Sequence, residues 1–418
     1  MVRVRIGAHK SIYDPVHGPI SFQGLALELI GSPEFQRLWG IRQTGFAHLV
    51  FPGANHTRLE HSLGTYWVAR RMVETLRLSE REQTLVTAGA LLHDVGHPPF
   101  SHTLEPTMEE VFGYGHEHRS RALIEGTADG WVDPTLPGLL ESAGISPATL
   151  ADLIDPIPSR RPSPRSSLLH GAIDADRIDY LQRDAYYTGV AHGAIDAVRL
   201  IDTSRLARGR LAFAAKARSA VEGFLVGRAL MYAAVYYHKT VRAAELMAQA
   251  AVERADGYPA VAHEWLTAAD GDLLAELGHD RSETSRRLTR GLRVRQLHKR
   301  VTGLVELTGP GKKAWKRLAR DPALRRSTED AVADRLGAPP ASILFDLAGL
   351  EPRDRPEEDG RTIALVDGSS MEFPFRGDGP WRQLARLGPS RDRIVMYAAP
   401  RWREAAARWA RRRGEFPL

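Results

Sequence analysis

Apolar residues recur at helical spacing through most of the chain. Behind Ser32, with Pro33 at the first helical position, Phe35, Leu38 and Ile41 share a face and Gln43-Thr-Gly45 closes the segment. A longer helix is predicted over 56–71, where Arg58 and His61 lie three apart on one side. Ala88-Gly-Ala-Leu-Leu92 opens an apolar helix that delivers His93 and Asp94 at its end. Gly96 and Pro98-Pro99 stop it, because proline cannot continue a helix and restricts the residue before it. Ser101 is placed to cap the next helix, with His102 and Glu105 on one side, and Gly113-Tyr-Gly-His-Glu-His118 enters another. Further helices are predicted over 168–184 and 217–252, the latter as one helix or two. Asp176, Tyr180 and Asp184 stack at intervals of four in the first; Arg228, Tyr232 and Tyr236 do so in the second, with Lys239 one turn on.

The period changes elsewhere. Residues 11–22 read as a short strand and turn, and 51–55 as a loop. Residues 126–165 are rich in Pro, Gly and Ser and read as a surface loop or insertion. Residues 354–360 look like a charged linker; past it, 362–366, 371–375 and 393–397 read as strands and 404–413 as a basic helix. The expected architecture is mainly α: a helical body over 1–355, with its core motifs in 55–190, and a small C-terminal α+β subdomain over 356–418.

Composition narrows the chemistry. The 418 residues include no cysteine, which excludes disulfides and thiolate metal sites. Any metal must be held by His, Asp or Glu, which suits iron, manganese, nickel or zinc. No apolar run reaches transmembrane length and Met1-Val-Arg-Val-Arg lacks a signal-peptide core, so a cytoplasmic protein without a membrane partner is expected. The formal charge of +6 suggests an anionic partner. The basic segment 286–320 reads as a solvated or subunit-contacting face, with a nucleic-acid surface as the sharper, less favoured alternative.

A lone His-Asp pair on an apolar helix reads as a buried hydrogen bond. Here His93, Asp94, His97 and His102 crowd into ten residues with helix breakers between them, and a desolvated carboxylate costs several kcal/mol unless paired or metal-bound. His61, His93, Asp94 and Asp176 together make a four-ligand nitrogen/oxygen set with room for a water. His97, His102, Glu105 and His116 would supply protons nearby, and Arg58, Arg177, Arg228 and Lys239 would neutralise a polyphosphate. The product is a site for phosphate-ester hydrolysis.

The words around these residues are more specific. Asp14-Pro-Val-His-Gly18, Phe35-Gln-Arg-Leu38, Phe51-Pro-Gly-Ala54, Arg58-Leu-Glu-His-Ser-Leu-Gly64, His93-Asp-Val-Gly-His-Pro-Pro-Phe-Ser-His102, His116-Glu117, Ile173-Asp-Ala-Asp-Arg-Ile-Asp-Tyr180 and Tyr237-His-Lys239 occur in that order. Over residues 10–310 the chain resembles the HD phosphohydrolase superfamily, and within it the deoxynucleoside triphosphate triphosphohydrolases, including the vertebrate enzyme that carries a sterile alpha motif.

The resemblance implies an HD-type helical domain in which His61, His93, Asp94 and Asp176 bind one divalent transition metal. It makes His116 the proton donor to the leaving 5′ oxygen, with His97, His102 and Glu105 around the reacting phosphate. Arg58, Arg177, Tyr180, Arg228 and Lys239 would face the phosphates, Gln43 and Asp184 would hold the sugar 3′-hydroxyl, and Tyr236 would lie against C2′. The implied reaction is water attack on the α-phosphate of a dNTP, with magnesium on the triphosphate. A nucleotide activator and a homo-oligomer (dimer, tetramer or hexamer) come with the same resemblance. Four positions depart from it. Glu105 stands where an Asp is familiar, Arg177 replaces a Lys, and Gly31 and Trp39 stand where a guanine-reading regulatory site uses an Asp and an Arg.

Overall fold

The computed structural model describes residues 9–157, 164–301, 305–306, 311–347, 363–366, 372–374 and 393–412. The fold is mainly α. Two long helices at its centre, Arg58–Thr75 and Glu80–Leu92, both start with a capping box: Thr57 with Glu60, and Ser79 with Glu82. They pack on each other, and the first also packs on Ala175–Thr188. Leu63, Val68, Met72, Leu91, Leu92, Ile178 and Leu181 are buried between them. Each such side chain contributes about 1.5–3 kcal/mol by leaving water. The strand expected near the N-terminus is a hairpin, His9–Asp14 paired antiparallel with Gly18–Gln23, which packs on the same core through Ile20 and Phe22.

Several local expectations are corrected. The helix expected behind Ser32 lasts one turn, Pro33–Gln36, then tightens to a 3-10 turn over Arg37–Gly40 and turns extended at Ile41. Tertiary contacts pull it out of register. Arg37 donates to the carbonyls of Ala268, Val95 and His97, and a side chain on Gly40 would strike Ala269. The supposed loop over 126–165 contains two helices, Leu136–Ser142 and Pro147–Ile154, with Pro137 and Pro147 in their first turns. There the prolines start helices rather than break them. Residues 158–163 lie outside the described residues. The helix expected from 168 begins only at Ala175, where Asp174 caps it by accepting from Arg177 N at 2.8 Å. Residues 217–252 are two helices, Arg218–Met231 and Lys239–Glu253, joined by a π-helical turn over Tyr232–Tyr236.

Ser101 does not cap a helix by its side chain. Phe100 and Ser101 both have positive φ, and the helix starts at Glu105. This strained pair is pinned from outside: Phe100 N donates to Asp270 Oδ1 at 2.6 Å, and Ser101 Oγ donates to the Arg42 carbonyl at 2.7 Å.

The tail strands are shared between two sheets. Arg393–Ala398 pairs with Ile343–Asp346, Lys299–Arg300 and Val305–Glu306. Ala364–Val366 pairs with Arg210–Ala214 on one side and Glu372–Pro374 on the other. Strands beyond residue 356 therefore complete sheets that begin before it; the expected linker over 354–360 lies outside the described residues. The basic segment divides between the Glu283–Arg293 and Gly311–Arg320 helices. Arg286 and Arg295 donate to backbone carbonyls of Asp280 and Leu49. No helix among the described residues is long and apolar enough to cross a membrane.

His298 makes one stability prediction. It is buried, with Nε2 donating to the Ala341 carbonyl at 3.0 Å, and burial pushes it down to about 4, helped by the Arg287 charge. An unfolded histidine titrates near ~6.5, so folding favours the neutral form. Its contribution is complete above that pH and is lost as pH falls from about 6.5 to 4, by at most roughly 3 kcal/mol. Urea unfolding of the native protein and His298→Gln at pH 7.5 and 4.5 checks this; an equal acid loss in both would refute it.

Candidate active site

His61 sits one turn into the Arg58–Thr75 helix, and His93 forms the C-cap of Glu80–Leu92. Asp94 follows in the turn, and Asp176 lies in the first turn of Ala175–Thr188. The packing of these three helices brings the four side chains together. His61 Nε2 is 3.0 Å from Asp176 Oδ1, 3.3 Å from His93 Nε2 and 3.7 Å from Asp94 Oδ2. His93 Nε2 is 3.4 Å from Asp94 Oδ1 and 3.8 Å from Asp176 Oδ1.

The donor set fits a divalent cation. His93 Nδ1 bonds the Ala90 carbonyl at 2.9 Å and His61 Nδ1 bonds Asp179 Oδ2 at 2.8 Å. Both acceptors require a proton on Nδ1, so both Nε2 lone pairs turn inward beside two carboxylates. The electrostatics agree. Burial opposes a charged His61, but Asp176 and Asp179 overcome it and raise the imidazole to about 10. Burial also penalises the Asp94 carboxylate, yet Arg58, His93 and His97 hold it well below the usual range. The site favours positive charge at the point where the four side chains meet.

A second cluster of titratable side chains adjoins it. His97 is fully buried, 3.3 Å from Asp94, and its ring stacks on His116 at 3.8 Å. Glu105 accepts from both remaining histidines, at 2.5 Å from His116 Nδ1 and 2.8 Å from His102 Nδ1. Burial disfavours the His116 cation, but Glu105 prevails and raises it to about 9. Burial and the Arg58 charge hold His97 neutral, well below its ordinary value. One imidazole is thus kept protonated and its stacked neighbour unprotonated. Gly96 permits this stack: a Cβ there would lie 2.3 Å from Ser120 N and 2.4 Å from the His116 carbonyl.

Further along the Ala175–Thr188 helix, Arg228 Nε donates to Tyr180 Oη at 3.2 Å and the Tyr180 and Tyr236 rings meet edge to face. Tyr236 donates to Asp184 Oδ2 at 2.5 Å, and His56 Nε2 bonds Asp184 Oδ1 at 2.7 Å. Gln43 N bonds the His56 carbonyl, and the buried Gln43 Oε1 has no hydrogen-bond partner. Arg58 lies against the metal set, with Nη1 on Asp94 at 2.5 Å and a buried, unpartnered Nη2. The Arg177 guanidinium is held by Asp174 at 2.6 Å and the Gly171 carbonyl at 2.7 Å. Lys239 is exposed and lines a basic cavity with His298, Lys299, Arg300 and Arg403.

Asp179, His17, Arg183, His56 and Asp270 do not emerge from the sequence as site residues. A signal for two of them is present: Asp179 lies three residues beyond Asp176, and His17 sits in a turn word far richer than a turn needs.

Two family models match the chain: the HD domain over residues 58–184 and the HD associated region over residues 195–369. An uncharacterized protein of Methanocaldococcus jannaschii is 38% identical over 247 residues, which is 58% of this chain and 49% of that protein. Human deoxynucleoside triphosphate triphosphohydrolase SAMHD1 is 30% identical over 291 residues, 62% of this chain and 46% of its own length. The chain spans about half the length of these curated relatives. Among solved structures, a phosphohydrolase of Bacteroides thetaiotaomicron matches with a TM-score of 0.71 and 26% identity, covering 93% of this chain and 99% of that one.

Proposed function

Because the chain belongs to the HD phosphohydrolase superfamily, we propose that it hydrolyses deoxynucleoside triphosphates to a deoxynucleoside and inorganic triphosphate. One observation carries the choice of substrate. The helix face that carries Asp176 also presents Tyr180 and Asp184, and Asp184 is held between His56 and Tyr236; the backbone of Gln43, whose Oε1 is buried and unpaired, bonds the His56 carbonyl. A phosphate contact and a pair of hydroxyl acceptors in line with a metal set suit a nucleotide with a 3′-hydroxyl. Tyr236 against the sugar would disfavour a ribose.

His61, His93, Asp94 and Asp176 would hold a divalent ion, which would supply Lewis-acid polarisation of a phosphoryl oxygen. The chain supplies the rest. Arg58, Arg177, Tyr180 and Arg228 bind and orient the phosphates, with Lys239 contributing charge. Water attacks the α-phosphorus and sheds a proton to solvent, a P–O bond forms, and the bond to the 5′ oxygen breaks. His116 gives that oxygen its proton, and Glu105 keeps the imidazolium charged until then.

The test is product analysis with each dNTP and each NTP in manganese or magnesium. Deoxynucleoside plus triphosphate is expected, with ribonucleotides much slower. Orthophosphate or diphosphate as the first product would replace this reaction with stepwise removal, and strongly salt-dependent nucleic-acid binding without turnover would remove it. The acid assignment has its own check. In Glu105→Gln the alkaline limb of kcat against pH should move down from near 9 toward the ordinary histidine range. An unmoved limb would take the proton from another group.

A further inference from the structure

Asp179 is fully buried and takes four hydrogen bonds. Its Oδ1 accepts from His17 Nε2 at 2.6 Å and Arg183 Nη2 at 3.0 Å. Its Oδ2 accepts from His61 Nδ1 at 2.8 Å and Arg183 Nε at 2.9 Å. Arg183 balances the charge, but it lies four residues on along the same helix, so the two side chains can rock together. What ties this pair down comes from elsewhere. His17 grips Asp179, and Asp14 accepts from Arg183 Nη1 at 2.7 Å; both stand on the N-terminal hairpin.

That hairpin turn is built to present His17. Asp14 Oδ1 accepts from Val16 N at 2.9 Å and His17 N at 2.8 Å, which closes the turn, and Gly18 takes φ +75. The imidazole then lies flat on Trp67, centroids 4.4 Å apart, under the helix that carries His61. Gly64 on that helix keeps the space open: a Cβ there would lie 1.9 Å from Asp179 Oδ1.

We propose that His17 is a positioning residue for the metal ligand His61, acting through Asp179. The hairpin thereby becomes part of the metal site. This rests on the metal reading of that site. A partner that orients a metal-bound histidine is worth about 10–100-fold in metal affinity.

Two substitutions separate hydrogen bond from packing. His17→Phe keeps a ring on Trp67 and loses the donor; His17→Gln loses the ring and keeps an N–H where Nε2 stood. Tyr13→Ala, at an 85% exposed position on the same hairpin, is the control. Each full-length protein is loaded with cobalt(II), and its visible spectrum and its rate of cobalt loss to a chelator are recorded beside the melting temperature of the metal-free form. His17→Phe should shift the cobalt bands and lose the ion about 10–100-fold faster. His17→Gln and Tyr13→Ala should stay near the native protein. Native retention and spectrum in His17→Phe, or loss in His17→Gln equal to that in His17→Phe, would overturn the assignment. A native protein that takes up no cobalt would overturn the metal reading itself.

Discussion

Asp94→Asn should abolish metal retention and lower turnover by at least ~10³-fold, with the helical fold intact. The carboxylate lies at the centre of the site. Oδ2 is 2.5 Å from Arg58 Nη1 and 3.7 Å from His61 Nε2; Oδ1 is 3.4 Å from His93 and 3.3 Å from His97. Amidation keeps the shape and removes the charge. Arg58 then stands unbalanced against the position a cation must take, which costs several kcal/mol at this burial. The amide also cannot accept through both atoms, so two of the four neighbours lose their partner. Metal content and turnover measured on one preparation, with circular dichroism as the fold check, decide the matter. Full metal content with activity within tenfold of native would remove Asp94 from the ligand set.

The second large effect belongs to a glycine. Gly96→Ala would place its methyl 2.3 Å from Ser120 N and 2.4 Å from the His116 carbonyl, both backbone atoms of the His116–Glu125 helix. No rotamer relieves that contact. The helix must shift, and the two bonds through Ser120 that fix it, from Gly96 N at 2.9 Å and to the His93 carbonyl at 2.7 Å, shift with it. The expected cost is about 2–4 kcal/mol of stability. Activity should fall by about 10²-fold, since His97 and His116 lose their 3.8 Å stack and small displacements at a reacting centre cost that much. Gly138→Ala is the contrast. It lies in the Leu136–Ser142 helix, where an added methyl would meet nothing within 4 Å, and alanine there should be neutral or stabilising by about 0.5–1 kcal/mol. Equal melting temperatures for the two variants would contradict the close-approach reading of Gly96.

These two cases show what the sequence makes legible. His93, Asp94, Gly96 and the prolines behind them announce a buried element ending in chemistry, and the packing of three helices does bring His61 and Asp176 to that end. Charge and residue type suffice there because few other placements satisfy a buried carboxylate beside a half-buried one. The supporting layer is harder to read. Asp179 meets His17 across 162 positions, and no local spacing encodes that contact. Local rules also mislead where two uses of one residue compete. Pro137 and Pro147 read as loop markers, while Leu136, Leu140, Leu150 and Ile154 around them are helical core. Behind Ser32 the apolar spacing is right for a helix, but Arg37 finds better partners in three carbonyls of distant segments. The π turn at Tyr232–Tyr236 keeps the stacked aromatic spacing while breaking the helix that the spacing implies.

Hydrolysis of a dNTP in 18O-labelled water tests the central claim most directly, that the His61/His93/Asp94/Asp176 centre directs water to the α-phosphorus. With manganese-loaded native protein, the label should appear in the triphosphate and the deoxynucleoside should carry none. Label in the deoxynucleoside, or in orthophosphate released first, would place the attack at another atom and contradict the account.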